Sequence, residues 1–409
     1  MIARTRLAFP RRLIVVTAAV FAAPCVSFAA SGTGAHPRAV DCGEKSDAAP
    51  TCDPLSVRIR HAELFSVEYF PQYKILTVRL APSDAKPLRY LLVQCGAPRP
   101  DVPDVAATIT VPVQSTVALS NAYLPFISAN RAIGSVVAVN QHSHVGDPVL
   151  REAIARGEVL EVGREGNLDR ERLAMLRPGL VLTYGDGRPP ESLMPLLRLG
   201  LPVVVTSEYR EASPLAYAEW VMFFAAFYNS EATAAAHFER LSRRYEALRS
   251  LAANTTPKPA VLAGGSYRGN WYVPAPRSYT ARMIADAGAR YVFADLKTDG
   301  QDHETTIVIS LEEALAYGRA ADIWIDTMDW RSLAEARGQD PRYALFRAFE
   351  QRQLYNNDNR RNAHGTNTFW ETGLAEPDTV LADLVAIFHP ELRTRPELKW
   401  YRRLPETPP

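Results

Sequence analysis

The segment LDRERLAMLRPGLVLTYG, residues 168–185, contains an amphipathic helical pattern followed by a short apolar strand pattern. Two other apolar runs, VVAVN at 136–140 and PVVVTSE at 202–208, also end in small or polar residues. Amphipathic segments lie between these runs, near residues 123–130, 147–156 and 190–199. Alternation of short buried strands with helices predicts parallel βαβ units.

A stretch with few helix breakers follows at residues 214–252. It contains an apolar helical pattern, AYAEWVMFFAAFYN, and then a longer helix that begins after Ser230. A second set of α/β units comes next, with strand patterns at 260–266 and 321–327. The sequence therefore predicts an α/β fold: two lobes with mostly parallel central sheets, joined by a long backbone helix.

The region before the first lobe has a different pattern. Strand-like runs at Phe65 to Tyr69 and Tyr73 to Leu80 are separated by a turn at Pro71-Gln72, which predicts a β-hairpin. We divide the chain into a signal peptide at 1–29, a flexible lead-in at 30–54, a first α/β lobe with the hairpin extension at 55–227, a linking helix at 228–257, a second α/β lobe at 258–395 and a tail at 396–409.

The first 29 residues resemble a secretory signal. Four arginines precede an apolar stretch from Leu13 to Ala23, and small residues at Ser27 and Ala29 form a cleavage site. The apolar stretch is shorter than the ~20 residues that a membrane span needs. A lipoprotein signal at Cys25 is disfavoured because Pro24 precedes the cysteine. We expect cleavage near Ala29 and a periplasmic protein.

The charge balance excludes some partners. The formal net charge is +1, and loss of the signal removes four arginines and no acid, which leaves −3. A weakly acidic chain with scattered charge gives no reason to expect nucleic acid or an anionic membrane as partner.

Three cysteines remain after the signal. Cys42 and Cys52 flank a short polar loop, and we expect a disulfide between them in an oxidising compartment. Cys95 follows the apolar run YLLVQ, and we expect a buried free thiol there.

Candidate ligand-binding residues follow from the rule that ligands of open α/β sheets lie beyond the carboxyl ends of the strands. The loops at these positions are rich in aromatic and cationic side chains, which suit a bulky, partly apolar, anionic ligand. The candidates are Asn121, Tyr123, His142, His144, Arg164, Tyr184, Tyr209, Tyr267, Arg268, Trp271, Trp330, Arg360 and Trp370.

Each of these assignments has a structural alternative. His142 and His144 could contact a metal or a ligand, but loop histidines are more often solvated or bonded to the backbone. Arg268, Arg360 and Arg361 could clamp anionic oxygens or pair with structural carboxylates. The tryptophans could stack on a ligand or belong to the core.

Four stretches resemble the substrate-binding proteins of ABC importers for ferric siderophores, haem and vitamin B12. They are TVALSNAYLPFISA, EVGREGNLDRERLAMLRPGLVLTYG, MIADAGARYVFAD and the ending YNNDNRRNAHGTNTFWETGLAEPDTVLADLVAIFHPEL. The second stretch is similar to the family's motif "V-G…N-x-[E/D]…L-x-P-D-L-V", with Gly179 at the usual Asp position.

The resemblance implies two lobes joined by a backbone helix, a ligand in the cleft and one acidic residue per lobe that docks on the permease. The matching positions are Asp169 and, in a looser register, Asp286. We expect a monomer without a cofactor that binds an iron–siderophore complex, with a corrinoid or haem as alternatives. A secreted hydrolase is the alternative of another class, although the sequence contains no GxSxG, P-loop or HExxH motif.

Overall fold

The computed structural model describes residues 58–81, 86–163, 167–185, 194–198, 200–298, 305–392 and 397–408. The strands are β1 (Phe65–Tyr69), β2 (Tyr73–Val78), β3 (Leu88–Gln94), β4 (Ala107–Val111), β5 (Thr116–Ala118), β6 (Val136–Val139), β7 (Leu160–Glu161), β8 (Leu180–Tyr184), β9 (Val203–Thr206), β10 (Ala260–Ala263), β11 (Gly265–Tyr267), β12 (Asn270–Pro274), β13 (Arg290–Tyr291), β14 (Thr306–Ile309), β15 (Ile323–Ile325), β16 (Leu354–Asn356) and β17 (Arg402–Arg403).

The α-helices are α1 (Leu124–Ala129), α2 (Pro148–Ala155), α3 (Arg170–Leu176), α4 (Met194–Arg198), α5 (Pro214–Glu219), α6 (Val221–Tyr228), α7 (Glu231–Ala253), α8 (Tyr279–Asp286), α9 (Leu311–Gly318), α10 (Leu333–Gln339), α11 (Arg347–Glu350) and α12 (Pro377–Phe388). A π-helix covers Phe369–Gly373. Within the described ranges, no helix combines the length and the apolar character that a bilayer crossing requires.

The first lobe contains a five-stranded sheet in the order β7-β6-β5-β8-β9, and every pair in it is parallel. Its central strands are apolar runs such as LVLTY and VVVT, because helices cover both faces of a parallel sheet. The predicted alternation of strands and helices in this lobe is confirmed.

The second lobe contains a five-stranded sheet in the order β13-β10-β15-β16-β17, in which only the β16–β17 pair is antiparallel. The sequence patterns did not predict the three-stranded antiparallel sheet β11-β12-β14 beside it. This small sheet begins immediately after Gly264, whose φ is +95° and where an added Cβ would lie 2.1 Å from the carbonyl oxygen of Tyr272. Only glycine fits at this crossing.

The N-terminal extension is a four-stranded sheet, β1-β2-β3-β4, in which β1 and β2 form the predicted hairpin. Two buried carboxylates of the first lobe hold the chain that enters this sheet. Glu219 accepts hydrogen bonds from the backbone N–H groups of residues 60–62, at 2.7 to 2.9 Å. Glu211 accepts hydrogen bonds from Glu63 N and Leu64 N. The extension is therefore an integral part of the first lobe.

Helix α7 joins the lobes, as the sequence predicts. At its first-lobe end, the buried Lys74 forms an ion pair with Glu231 and donates to Ala226 O at 3.0 Å. At its second-lobe end, Tyr245 Oη donates to Asp286 Oδ2 at 2.7 Å and Arg244 pairs with Asp378 at 2.6 Å. The helix is thus anchored to both lobes through specific polar contacts.

Two predictions about local structure were wrong. The helical pattern at 216–229 forms two helices, α5 and α6, that meet at Trp220, whose indole donates to Glu211 Oε1 at 3.0 Å. Cys95 is half-buried in the turn after β3 and is disulfide-bonded, so it is not a free thiol. Its bonding partner lies outside the described residues, as do Cys42 and Cys52.

Candidate functional site

The strand-end loops of the first lobe bring several predicted residues together. Asn121 follows β5, and its Nδ2 donates to His144 O at 3.3 Å in the loop after β6. Tyr184, at the end of β8, packs edge-to-face against Tyr209 with 6.3 Å between ring centroids. The side chain of Tyr184 is 40 % exposed, which is high for an aromatic residue at a sheet edge. This edge therefore presents an aromatic surface.

The second lobe presents a similar pair of residues. Tyr267 and Arg268 lie at the β11–β12 turn, and the Arg268 guanidinium lies 5.2 Å from the centre of the Tyr267 ring. Tyr267 is 43 % exposed, and Trp370 in the π-helix is 56 % exposed. An exposed ring beside a guanidinium, as at Tyr267 and Arg268, is suited to contact with a flat or bulky anionic molecule.

Three predicted aromatic residues are buried instead. Trp271 stacks on Trp324 with 5.5 Å between ring centroids, and Trp330 packs edge-to-face on Trp324 at 5.3 Å. Tyr123 lies in the first-lobe core, where its hydroxyl accepts a hydrogen bond from Thr206 Oγ1 at 3.0 Å. Their packing corresponds to the structural alternative, because a ring inside the core has no surface left for a ligand.

The two loop histidines lie in the short 3₁₀-helix His142–His144. The His142 ring nitrogen Nε2 is 3.0 Å from Val159 O, which corresponds to the backbone-bonded alternative. Within the part of the chain that the structure describes, no three His, Cys, Asp or Glu side chains are grouped to hold a metal ion. Arg164 lies outside the described residues.

A set of hydrogen bonds that the sequence patterns did not predict connects the lobes directly. Glu371 Oε2 accepts from Gly146 N at 2.6 Å, and its Oε1 accepts from Asp147 N at 3.1 Å. Asn362 Nδ2 donates to Ser143 O at 2.9 Å and to Val145 O at 3.2 Å. Thr366 Oγ1 donates to Ser143 O at 3.0 Å. We call these contacts between residues 362–371 and residues 143–147 the interlobe clasp.

A cavity of about 500 Å³ adjoins the clasp and is lined by residues of both lobes and of α7. Its lining includes Ser128, Gly146, His237, Arg360, Glu371 and Lys399. Arg360, one of the predicted ligand residues, is exposed and lies 5.8 Å from the centre of the Trp400 ring. Lys399 forms an ion pair with Glu376. Charged side chains therefore line this cavity, and its lining residues do not include the exposed rings of Tyr184, Tyr267 and Trp370.

Burial raises the pKa of four carboxyl groups, namely Glu208, Glu211, Asp326 and Glu371. Burial raises the pKa of Glu371 to about 7, although the N–H groups of Gly146 and Asp147 oppose this shift. Burial also raises the pKa of Glu208, two residues after β9, to about 7. Burial raises the pKa of Asp326, directly after β15, to about 6. Glu208 and Asp326 come after the ends of β9 and β15, the positions at which ligands of α/β sheets bind, whereas Glu371 lies in the π-helix and contacts the first lobe.

The two predicted docking residues differ in exposure. Asp169 is 44 % exposed and caps α3 by accepting a hydrogen bond from Arg172 N at 2.9 Å. Asp286 is only 11 % exposed and is held by Tyr245 and Arg282. Asp169 is thus accessible to a partner protein, whereas the contacts of Asp286 favour a structural role in anchoring α7.

One clasp residue, Asn362, lies in a stretch whose composition is a signal that helical and strand periodicity does not capture. Residues 356–367 contain five asparagines between a strand and the π-helix. Amide side chains at such density in a strand-end loop supply the donors that bind backbone carbonyls of another segment.

The fold and the paired strand-end loops define a two-lobed solute-binding protein. The family model for periplasmic binding proteins matches residues 117–360, more than half of the chain, and the chain belongs to this family. An uncharacterized lipoprotein of Methanocaldococcus jannaschii is 26 % identical over 322 residues, which cover 75 % of this chain and 74 % of the relative.

Two solved structures share the fold. A periplasmic haem-binding protein from Roseiflexus has a TM-score of 0.51 at 20 % identity, and the match covers 68 % of this chain and 98 % of that protein. A protein of an ABC-type Fe3+-hydroxamate transport system from Saccharomonospora viridis has a TM-score of 0.51 at 17 % identity, with 68 % and 94 % covered. At these identities the likeness concerns the fold alone.

Proposed function

We propose that this protein captures an iron(III)–siderophore-type complex in the cleft between its lobes and delivers it to an ABC importer. The observation that carries this proposal is the presence of exposed rings on both lobes, with the Arg268 guanidinium beside the Tyr267 ring. Such a surface suits a chelate with an apolar body and peripheral anionic oxygens. The protein binds its ligand and does not transform it.

A corrinoid and haem are the alternative ligands, and both belong to the ligand range of the family that the sequence resembles. The relative from Roseiflexus binds haem, and the one from Saccharomonospora belongs to a hydroxamate system. An iron chelate is preferred because His142 bonds to Val159 O, which leaves its ring poorly placed to act as an axial haem ligand.

Delivery requires recognition by the permease, for which we propose Asp169. Its exposed carboxylate at the start of α3 can pair with a cation on a partner protein. The proposal includes export to the periplasm with cleavage near Ala29. A lipid anchor at Cys25 is the competing hypothesis, and the name of the M. jannaschii relative gives it weight.

Quenching of intrinsic fluorescence tests the ligand class. Wild-type protein and the variant Arg268→Ala would be titrated with ferric hydroxamate, ferric catecholate, haem and cobalamin. We expect saturable binding of a ferric chelate, weakened about 10-fold in the variant. The matched control is Arg156→Ala, because Arg156 is an exposed first-lobe residue that pairs with Glu158. Tight binding of cobalamin or haem without any ferric chelate would contradict the proposal.

A further inference from the structure

The clasp places one carboxylate at the centre of the contact between the lobes. Both oxygens of Glu371 are occupied by backbone N–H groups of the first lobe, although Glu371 belongs to the second lobe. Burial of the side chain excludes water from these bonds, which strengthens them. The contact spans more than 200 residues of sequence, so it forms only when the lobes are at their observed spacing.

The first-lobe side of this contact is shaped for it. A Cβ added to Gly146 would lie 3.0 Å from Glu371 Oε2, closer than nearly all real contacts. Any larger residue at position 146 would push the carboxylate away. Asp147, beside it, is the N-cap of α2 through its bond with Leu150 N, so the clasp also fixes the start of that helix.

We propose that Glu371 is a positioning residue that latches the two lobes and sets the width of the ligand cleft. The lobes then separate by release of Glu371 from Gly146 and Asp147, while α7 stays anchored at both ends. This inference rests on the proposed function and concerns the ligand-free protein. It identifies the contact at which the ligand cleft opens.

The environment of Glu371 makes the latch sensitive to pH. Burial raises its pKa to about 7, and separation would return the carboxyl to water and to its ordinary value. The latched state therefore binds an extra proton, and a rise in pH through this window favours separation. The other charged groups that face this region are Asp147, His237, Arg360, Arg361, Glu376 and Lys399.

Interlobe distances measured with spin labels test the proposal. The labels would be introduced as non-natural amino acids at Met175 and Val308, which are exposed on the first and second lobes. In ligand-free wild-type protein, the ratio of separated to latched molecules should rise on the order of 50-fold from about pH 5 to about pH 8. Glu371→Ala should be mainly separated at both pH values.

Glu371→Gln keeps one carbonyl acceptor and the volume of the side chain but cannot ionise. We expect the interlobe distance distribution of Glu371→Gln to be independent of pH. If Glu371→Ala does not fold, this variant alone tests whether Glu371 latches the lobes. The control Glu312→Gln removes an exposed second-lobe carboxylate and should behave as wild type. A pH-dependent Glu371→Gln, or a folded Glu371→Ala with the wild-type distribution, would overturn the latch. Because no ligand is present, either result is independent of the identity of the ligand.

Discussion

The lobes are connected in two ways, and the two connections differ in chemistry. Helix α7 connects the lobes through the backbone. The Lys74–Glu231 ion pair anchors its first-lobe end, and the hydrogen bond from the Tyr245 hydroxyl to Asp286 anchors its second-lobe end. The clasp is non-covalent and consists of side chains that bind backbone atoms of the 143–147 loop. The 143–147 loop of the first lobe therefore contacts residues 362–371 of the second lobe through hydrogen bonds, whereas α7 connects the two lobes through the backbone.

This difference indicates which connection gives way when the cleft opens. Loss of an anchor of α7 exposes a buried charge and costs stability of the whole fold. Loss of a clasp contact transfers backbone groups of a surface loop to water, which replaces much of the hydrogen bonding. We therefore treat α7 as the fixed connection and the clasp as the reversible one.

The largest effect is expected at the first-lobe anchor of α7. Lys74→Met removes the cation that pairs with Glu231 and bonds to Ala226 O and Asn229 Oδ1. Because the partners stay largely buried, the free energy of unfolding should fall by about 3 kcal/mol. Urea unfolding followed by circular dichroism measures this change. A loss below about 1 kcal/mol would show that this anchor is not important for α7.

The next largest effect is the pH dependence of stability that arises from Glu208 in the first lobe, which does not belong to the interlobe clasp. The pKa of Glu208 is raised to about 7 by burial, so its protonated form stabilises the fold at low pH. That stabilisation is complete below its ordinary value near 4.5 and is lost as pH rises through about 7.

Glu208→Gln cannot lose a proton, so its stability should fall less with rising pH than that of wild type. We expect the difference to be about 2 kcal/mol between about pH 5 and about pH 8. Thermal unfolding at a series of pH values checks this, with Glu312→Gln as the exposed control. Parallel pH profiles for Glu208→Gln and wild type would rule out the titration of Glu208.

A smaller effect is expected at the second-lobe anchor of α7. Tyr245→Phe removes only the hydroxyl that donates to Asp286 at 2.7 Å and leaves that carboxylate with Arg282. The free energy of unfolding should fall by about 1 to 2 kcal/mol, since a charged acceptor loses one donor. The distance between the spin-labelled lobes should not change. A wider distribution would indicate that this end of α7 also sets the spacing.

The smallest effect on global stability is expected in the clasp. Asn362→Ala removes the hydrogen bonds from Nδ2 to Ser143 O and Val145 O and those that Oδ1 accepts from His364 N and Thr366 N. Because water can replace much of this bonding at a partly exposed loop, the loss should be about 1 kcal/mol or less. Hydrogen exchange of amides 143–150 should nevertheless become faster, because local opening no longer breaks those bonds. Unchanged exchange in this segment would remove Asn362 from the clasp.

Much of this architecture could be predicted because local sequence determines it. The runs at 180–185 and 202–208 are apolar over their whole length, as strands covered on both faces must be, and they form β8 and β9. The local pattern did not predict the break between α5 and α6; Trp220, where the two helices meet, donates to Glu211 and packs against Phe65 of the extension.

The candidate site could be predicted only in part, because local sequence patterns identify strand ends but do not determine tertiary contacts. The strand-end rule identified the loops that contain Tyr184 and Tyr267, which are exposed. It could not distinguish Tyr267 from the buried Trp271, since strand pairing in β11–β12 places them on different sides. The contact of Glu371 with Gly146 joins residues 225 positions apart and depends entirely on the tertiary fold.

The ligand preference of the purified protein can be measured by native mass spectrometry in the presence of equimolar ferric hydroxamate, ferric catecholate, haem and cobalamin. We expect one ferric chelate bound per protein molecule, in preference to haem and cobalamin, with no change in the mass of the chelate after incubation. Exclusive binding of cobalamin or haem, or conversion of the chelate to a product, would contradict this expectation.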